Sequence, residues 1–170
     1  MGVKKVAVLV ENQYQELEVW YPYLRLKEAG FDVKMVGTGK GEYKSKVGYP
    51  AREEVPVDKA KAAEFDAVVV PGGYAPDFLR RHEKINSFVR SIYDKGGVVA
   101  GICHGGWVLI SAGIMDGKKA TSFFAIKDDM ENAGARWEDS EVVVDGNLVT
   151  SRKPEDLPAF LKEIIRLLEA

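Results

Sequence analysis

The chain has little of what builds cross-links or metal sites. One cysteine among 170 residues, Cys103, excludes an intrachain disulfide and agrees with a reducing cytoplasm. Its two histidines, His82 and His104, show no ligand spacing with that cysteine. Neither a metal nor another cofactor is therefore expected. The formal net charge is only −2, which gives no electrostatic reason for a nucleic acid or an anionic membrane as partner. No run approaches the roughly 20 apolar residues that cross a bilayer. Met1 to Lys5 leads into only five apolar residues, too few for the core of a secretory signal. The expectation is a cytoplasmic protein. Amides are sparse while Lys and Glu are abundant, a balance that leans towards a thermophilic source.

What is present is an ordinary globular composition, 46% hydrophobic and 29% charged, without linker, repeat or low-complexity segment. Residues 1–170 read as one domain. Val3 to Val10, Phe31 to Val36, Phe65 to Val70 and Val98 to Ile102 are short apolar, β-branched runs suited to a buried parallel sheet. Helical periodicity covers Glu16 to Ala29, with Leu17, Tyr21 and Leu24 on one stripe and a kink or late start expected at Pro22. It recurs over Glu83 to Lys95, within Thr121 to Gly134, and from Leu157 to Leu168. Tyr43 to Glu54 reads as a small appended hairpin, and Glu141 to Thr150 as a hairpin with an Asp145-Gly146 turn. Strands alternating with helices predict an α/β, flavodoxin-like three-layer sandwich with a mainly parallel sheet.

The chemistry concentrates at Gly101-Ile102-Cys103-His104-Gly105, which has the G-x-nucleophile-x-G spacing of a nucleophile elbow with cysteine in place of serine. Such a turn lifts the nucleophile above the carboxyl ends of the strands, where chemistry sits in open α/β sheets. At a helix N-terminus the thiol is expected to ionise more readily than an ordinary one of pKa about 8.5. Other strand ends bring Glu11, Glu16 and Glu18 after Val10, and Gly72, Gly73 and Asp77 after Val70. Backbone N–H groups of Gly72-Gly73 and His104 are candidates for an oxyanion hole. His104 is a candidate base, held by an acid such as Asp77. However, neighbours at i and i+1 on a helix do not face each other, so His104 can serve Cys103 only if the elbow bends both into one pocket. Asp77 also suits the N-cap of a short helix, and His82 reads as a surface residue.

Across nearly its whole length the chain resembles the ThiJ/PfpI superfamily, most closely its PfpI branch. The blocks are Tyr21-Pro22-Tyr23, Pro71-Gly72-Gly73-Tyr74-Ala75-Pro76-Asp77, Ala100 to Gly105, Leu109 to Gly113, Asp128-Asp129-Met130, and Val143 to Asn147 followed by Thr150-Ser151-Arg152. This resemblance implies Cys103 as nucleophile, Glu18 as the buried glutamate bonded to its sulfur, and His104 as the histidine following the cysteine. Asp77 would reach that histidine from a neighbouring subunit in a homo-oligomer, a dimer or a hexamer assembled from dimers. The chain departs from the branch pattern at Gln15, at Gly106-Trp107 and at Phe123, which stands where close relatives carry a tyrosine near the substrate. Three functions compete: a peptidase, a glyoxalase or deglycase acting on methylglyoxal or its adducts with proteins, and a non-catalytic redox or stress sensor using Cys103 oxidation. The first two use the same nucleophile on a peptide or a small aldehyde. Aldehyde chemistry needs only a small pocket, which favours it.

Overall fold

The computed structural model describes residues 2–170. In chain order the elements are β1 (Lys5–Leu9), α1 (Glu16–Glu28), β2 (Asp32–Gly37), β3 (Glu42–Lys44), β4 (Pro50–Arg52), β5 (Val55–Pro56), β6 (Ala67–Val70), α2 (Ala75–Leu79), α3 (Glu83–Asp94), β7 (Val98–Ile102), α4 (Gly106–Ser111), β8 (Lys119–Ala120), α5 (Lys127–Asn132), β9 (Arg136–Trp137), β10 (Val142–Asp145), β11 (Leu148–Ser151) and α6 (Leu157–Glu169). Seven strands form the main sheet in the order β10-β11-β7-β6-β1-β2-β5. Every neighbouring pair is parallel except β10 with β11. The central strands carry no polar face: β6 and β7 are buried throughout, which parallel strands covered on both sides require. Helices α1 and α6 pack together on one face, and α3 covers β6 and β7 on the other. This is the expected α/β, flavodoxin-like arrangement, and it gathers the carboxyl ends of β1, β6 and β7 at one edge.

Three local expectations change. Leu17 and Leu24 are 54% and 58% exposed, and α1 buries Glu18, Val19, Pro22 and Leu26 instead. Val19, Pro22 and Leu26 make a stripe as regular as the expected one, and spacing alone does not say which stripe meets the sheet. The helix also starts ahead of Pro22, because the Gln15 side chain caps it by accepting the Glu18 N–H at 3.0 Å. In the β10–β11 hairpin Asp145 pairs with Leu148, so the turn residues are Gly146-Asn147 rather than Asp145-Gly146. Gly146 has φ +63°, the arrangement of a type II′ turn. Asn147 is held at the second turn position by its own side chain, which donates to Tyr93 O and Gly97 O at 3.0 and 2.8 Å.

Candidate active site

Strand β7 delivers Cys103 into a short 3-10 turn, Cys103–Gly105, that runs directly into α4. Cys103 adopts φ +60°, a conformation that costs a non-glycine residue energy and that the surroundings must enforce. The enforcement is visible. Phe123 N–H donates to Cys103 O at 3.2 Å, and the turn lies so close to β6 that a Cβ on Gly105 would meet Val70 O at 2.6 Å. The bend resolves the neighbour problem posed by the sequence, because Cys103 Sγ and His104 Nδ1 lie 3.3 Å apart.

His104 is clamped by aromatic rings. It stacks on Phe123 with centroids 5.2 Å apart and meets Trp107 edge-on at 5.0 Å. Trp107 is anchored in turn by donating Nε1–H to Asp129 at 2.8 Å. Burial, with the positive charge of Lys46, lowers the imidazole below its ordinary value, so at neutral pH the ring is uncharged and able to accept a proton. Asp77 is not against it. This residue sits in the first turn of α2, half-exposed, and pairs with Arg81 in the turn just beyond that helix. Nor does it cap that helix: the N-cap is Tyr74, which leaves Asp77 three positions on.

Glu18 is fully buried beneath the cysteine. Its Oε2 accepts the Gly72 N–H at 2.7 Å, while Oε1 has no full hydrogen bond among the described residues, although the Cys103 thiol lies within its influence. Loss of solvation outweighs these contacts and raises the carboxyl from 4.5 to about 7. The thiol is also raised, first by burial and second by the Glu18 carboxylate, against the pull of the His104 and Gly73 N–H groups. This reverses the expectation of a lowered thiol. The turn leads into a helix of only six residues, whose dipole is too weak to offset desolvation. When Glu18 holds the proton its repulsion vanishes and it becomes a donor to the thiolate, so the two groups titrate as a pair.

Gly72 is no oxyanion donor, since its N–H is committed to Glu18; the Gly73 and His104 N–H groups remain, both directed at the sulfur. Gly72 must nevertheless stay small. A Cβ there would lie 2.4 Å from Glu18 Oε2 and 2.6 Å from Cys103 Cβ, so one or both would have to shift. Gly72→Ala is expected to destabilise the fold by about 1–3 kcal/mol and to cut turnover by about a hundredfold by displacing Sγ. Thermal unfolding and initial rates check this; wild-type values for both would contradict the close approach.

The pocket over Cys103 has a volume of about 250 Å³ and is lined by Gln15, Glu18, Lys46, Gly73, Tyr74, Cys103, His104, Phe123, Lys153 and Pro154. Lys46 and Lys153 escape a reading of the sequence, because they come from separate loops and carry no motif, while Tyr74 lies inside the Pro71–Asp77 block without a role assigned to it. A larger cavity of about 550 Å³ lies between α3 and the ends of α2 and α4, lined by Arg80, Arg81 and Arg90 among others, with neither cysteine nor histidine in its lining. Among the described residues no group of three or more His, Cys, Asp or Glu side chains converges as a metal site, and no helix is long and apolar enough to cross a membrane.

Residues 4–167 match the model of the DJ-1/PfpI family. The chain is 47% identical to deglycase PH1704 of Pyrococcus horikoshii over 165 residues, 97% of this chain and 99% of that protein. It is 41% identical over 172 residues to protein/nucleic acid deglycase 2 of Escherichia coli, covering 98% of this chain and 99% of that one. A solved two-domain protein from Anabaena variabilis, with DJ-1/ThiJ/PfpI-like and ferritin-like domains, superposes with a TM-score of 0.95 at 45% identity. That match takes in 98% of this chain but 48% of the larger one, so the chain spans about half its length.

Proposed function

The chain belongs to the DJ-1/PfpI family, and from that premise we propose that it is a cysteine-dependent deglycase of the glyoxalase type, acting on methylglyoxal or its adducts. The observation that carries this reading is the pairing of Cys103 with a buried Glu18 that keeps its proton to about pH 7, inside a pocket of about 250 Å³. A two-carbon proton transfer needs a nucleophile, a group that both gives and takes a proton near neutrality, and little room.

The steps balance without an external oxidant or reductant. Cys103 Sγ bonds to the aldehyde carbon as that oxygen takes a proton, giving a hemithioacetal. With an adduct, the amine or thiol leaves carrying a proton as the carbon passes to Sγ. Glu18 or His104 removes the proton on the first carbon and the second carbon is reprotonated, which gives a lactoyl thioester. Water then splits the thioester, releasing lactate and restoring the thiol. The N–H groups of Gly73 and His104 stabilise the negative oxygen that develops. The net change is methylglyoxal plus water to lactate, a reaction that would protect the cell against reactive aldehydes.

An extended peptide calls for more room than a pocket of about 250 Å³, and peptidase chemistry would call on an acid to orient His104. Half-exposed Asp77 would supply it only from a neighbouring subunit of a homo-oligomer. Sedimentation showing a monomer would exclude that arrangement. The direct test is lactate formed from methylglyoxal, set beside cleavage of a fluorogenic peptide library. Lactate without peptide cleavage is the expected result; peptide cleavage without lactate would replace this reading.

A further inference from the structure

Among the described residues no carboxylate bonds the His104 ring, whose polar side-chain partner is Cys103 Sγ at 3.3 Å. Phe123 stacks on it, and the edge-on contact comes from Trp107, which has no part in the chemistry above. The meeting of α4 with α5 puts that indole in place. Gly106 carries no side chain, and a Cβ there would lie 2.7 Å from Met130 Sδ, so the two helices touch at this point. The contact sets Trp107, the next residue of α4, beside Asp129, which precedes Met130 on α5. Indole Nε1–H then donates to Asp129 Oδ2 at 2.8 Å. The Arg80 guanidinium lies over the indole, 5.8 Å from the ring centroid, and is itself fixed by donating Nε–H to Ser111 at 2.9 Å. A cavity of about 390 Å³ also borders Trp107, lined by Arg80, Ile110, Asp129, Asn132 and Ala133. The indole therefore has room to swing away from His104 once its polar contacts are cut.

We propose that Asp129 and Trp107 are positioning residues for His104: the anchored indole keeps the imidazole turned to Cys103, so the base is aimed from within the chain. This deepens the deglycase reading and rests on His104 moving a proton in it, so the clamp is first measured without turnover. The charged groups around the ring are Lys46, Lys153 and Glu18, which share its pocket, and Asp129 and Arg80, which both hold Trp107. Burial lowers the imidazole most, Lys46 lowers it further, and Asp129 raises it in return.

Two variants should move the imidazole in opposite directions. Trp107→Phe keeps an aromatic ring but loses the N–H, so the freed imidazole gains water and titrates closer to its ordinary value. Asp129→Asn keeps an acceptor for the indole but loses the charge, so the imidazole titrates lower still. The chain has only two histidines, and NMR of their ring C–H signals, assigned with His82→Gln, reads this directly. In turnover, Trp107→Phe and Asp129→Ala should each lower kcat about tenfold with KM within about twofold, the cost of a misaimed base. Asp129→Asn should recover most of that loss. A Trp107→Phe imidazole that titrates as in wild type overturns the inference whatever the rates do, since any loss then comes from packing. A moved titration with unchanged kcat overturns it too, because the clamp would hold the ring without serving the reaction. Asp129 is exposed, so its variants decide the matter even if Trp107→Phe fails to fold: Asp129→Asn as slow as Asp129→Ala is the contrary result. No lactate from methylglyoxal with wild type refutes the deglycase reading and leaves the titration to judge the clamp.

Discussion

Cys103→Ser is expected to lose lactate production from methylglyoxal by at least about a thousandfold while melting within a few degrees of wild type. The activity arm follows from ionisation. Even a thiol raised by burial and by Glu18 loses its proton far more readily than an alcohol, and sulfur is the stronger nucleophile. No other thiol lines the pocket to take over the bond to carbon. The stability arm follows from size: serine fills almost the same volume and can adopt the same φ of +60° at similar cost. Turnover by the variant close to wild type would remove Cys103 from the reaction, and unfolding of the variant would assign it a packing role instead.

Glu18→Gln is expected to move two measurements in opposite directions. Alkylation of Cys103 by iodoacetamide should become faster at pH 7–8, because the variant removes the carboxylate that opposes thiolate formation and leaves an amide N–H able to face the sulfur. Turnover should fall by about a hundred- to a thousandfold, because an amide neither takes nor returns a proton. A merely structural Glu18 would slow both or neither. The same carboxyl governs stability against pH. Its folded value of about 7 lies above the ordinary 4.5, so between these limits the folded protein binds the extra proton. The contribution of Glu18 to stability then falls as pH rises through this window, is intact below about 4.5, and has lost about 3 kcal/mol above about 7. Glu18→Gln carries no such titration, so its melting temperature should gain on wild type steadily from pH 5 to pH 8. Parallel curves would show that Glu18 is not the group that titrates.

Much of this was legible in the residues. The apolar runs of β1, β6 and β7 and their alternation with helices specify a parallel sheet, because burial on both faces leaves no polar alternation to read. The elbow was legible because Gly101-Ile102-Cys103-His104-Gly105 compresses a strand, a strained turn and a helix start into five residues, so its meaning is local. The structure places Glu18, Gly72, Gly73 and Phe123 around the cysteine, with Gly72 N–H committed to Glu18 rather than free as an oxyanion donor, and does not bring Asp77 to it within this chain.

Distance along the chain marks where that legibility stopped. Which stripe of α1 faces the sheet depends on what β1 and β2 present to it, so Leu17 and Leu24 were assigned inward although they face solvent. That Gly72 N–H bonds Glu18 across 54 positions of sequence, and thus leaves the Gly73 and His104 N–H groups as the donors facing the sulfur, is a property of the start of α1 meeting the end of β6. The sign of the thiol's perturbation also changed, because desolvation by the assembled core outweighs a helix of six residues. Lys46 and Lys153 belong to the same class: each is an unremarkable surface lysine until the fold sets both over one sulfur. The sequence by itself determined the sheet and the elbow that carries Cys103, since these rest on periodicity and short-range backbone geometry. Only the tertiary structure decided the protonation partners, the pocket's size and the charge at its mouth, because burial and through-space electrostatics exist only once distant segments are packed together.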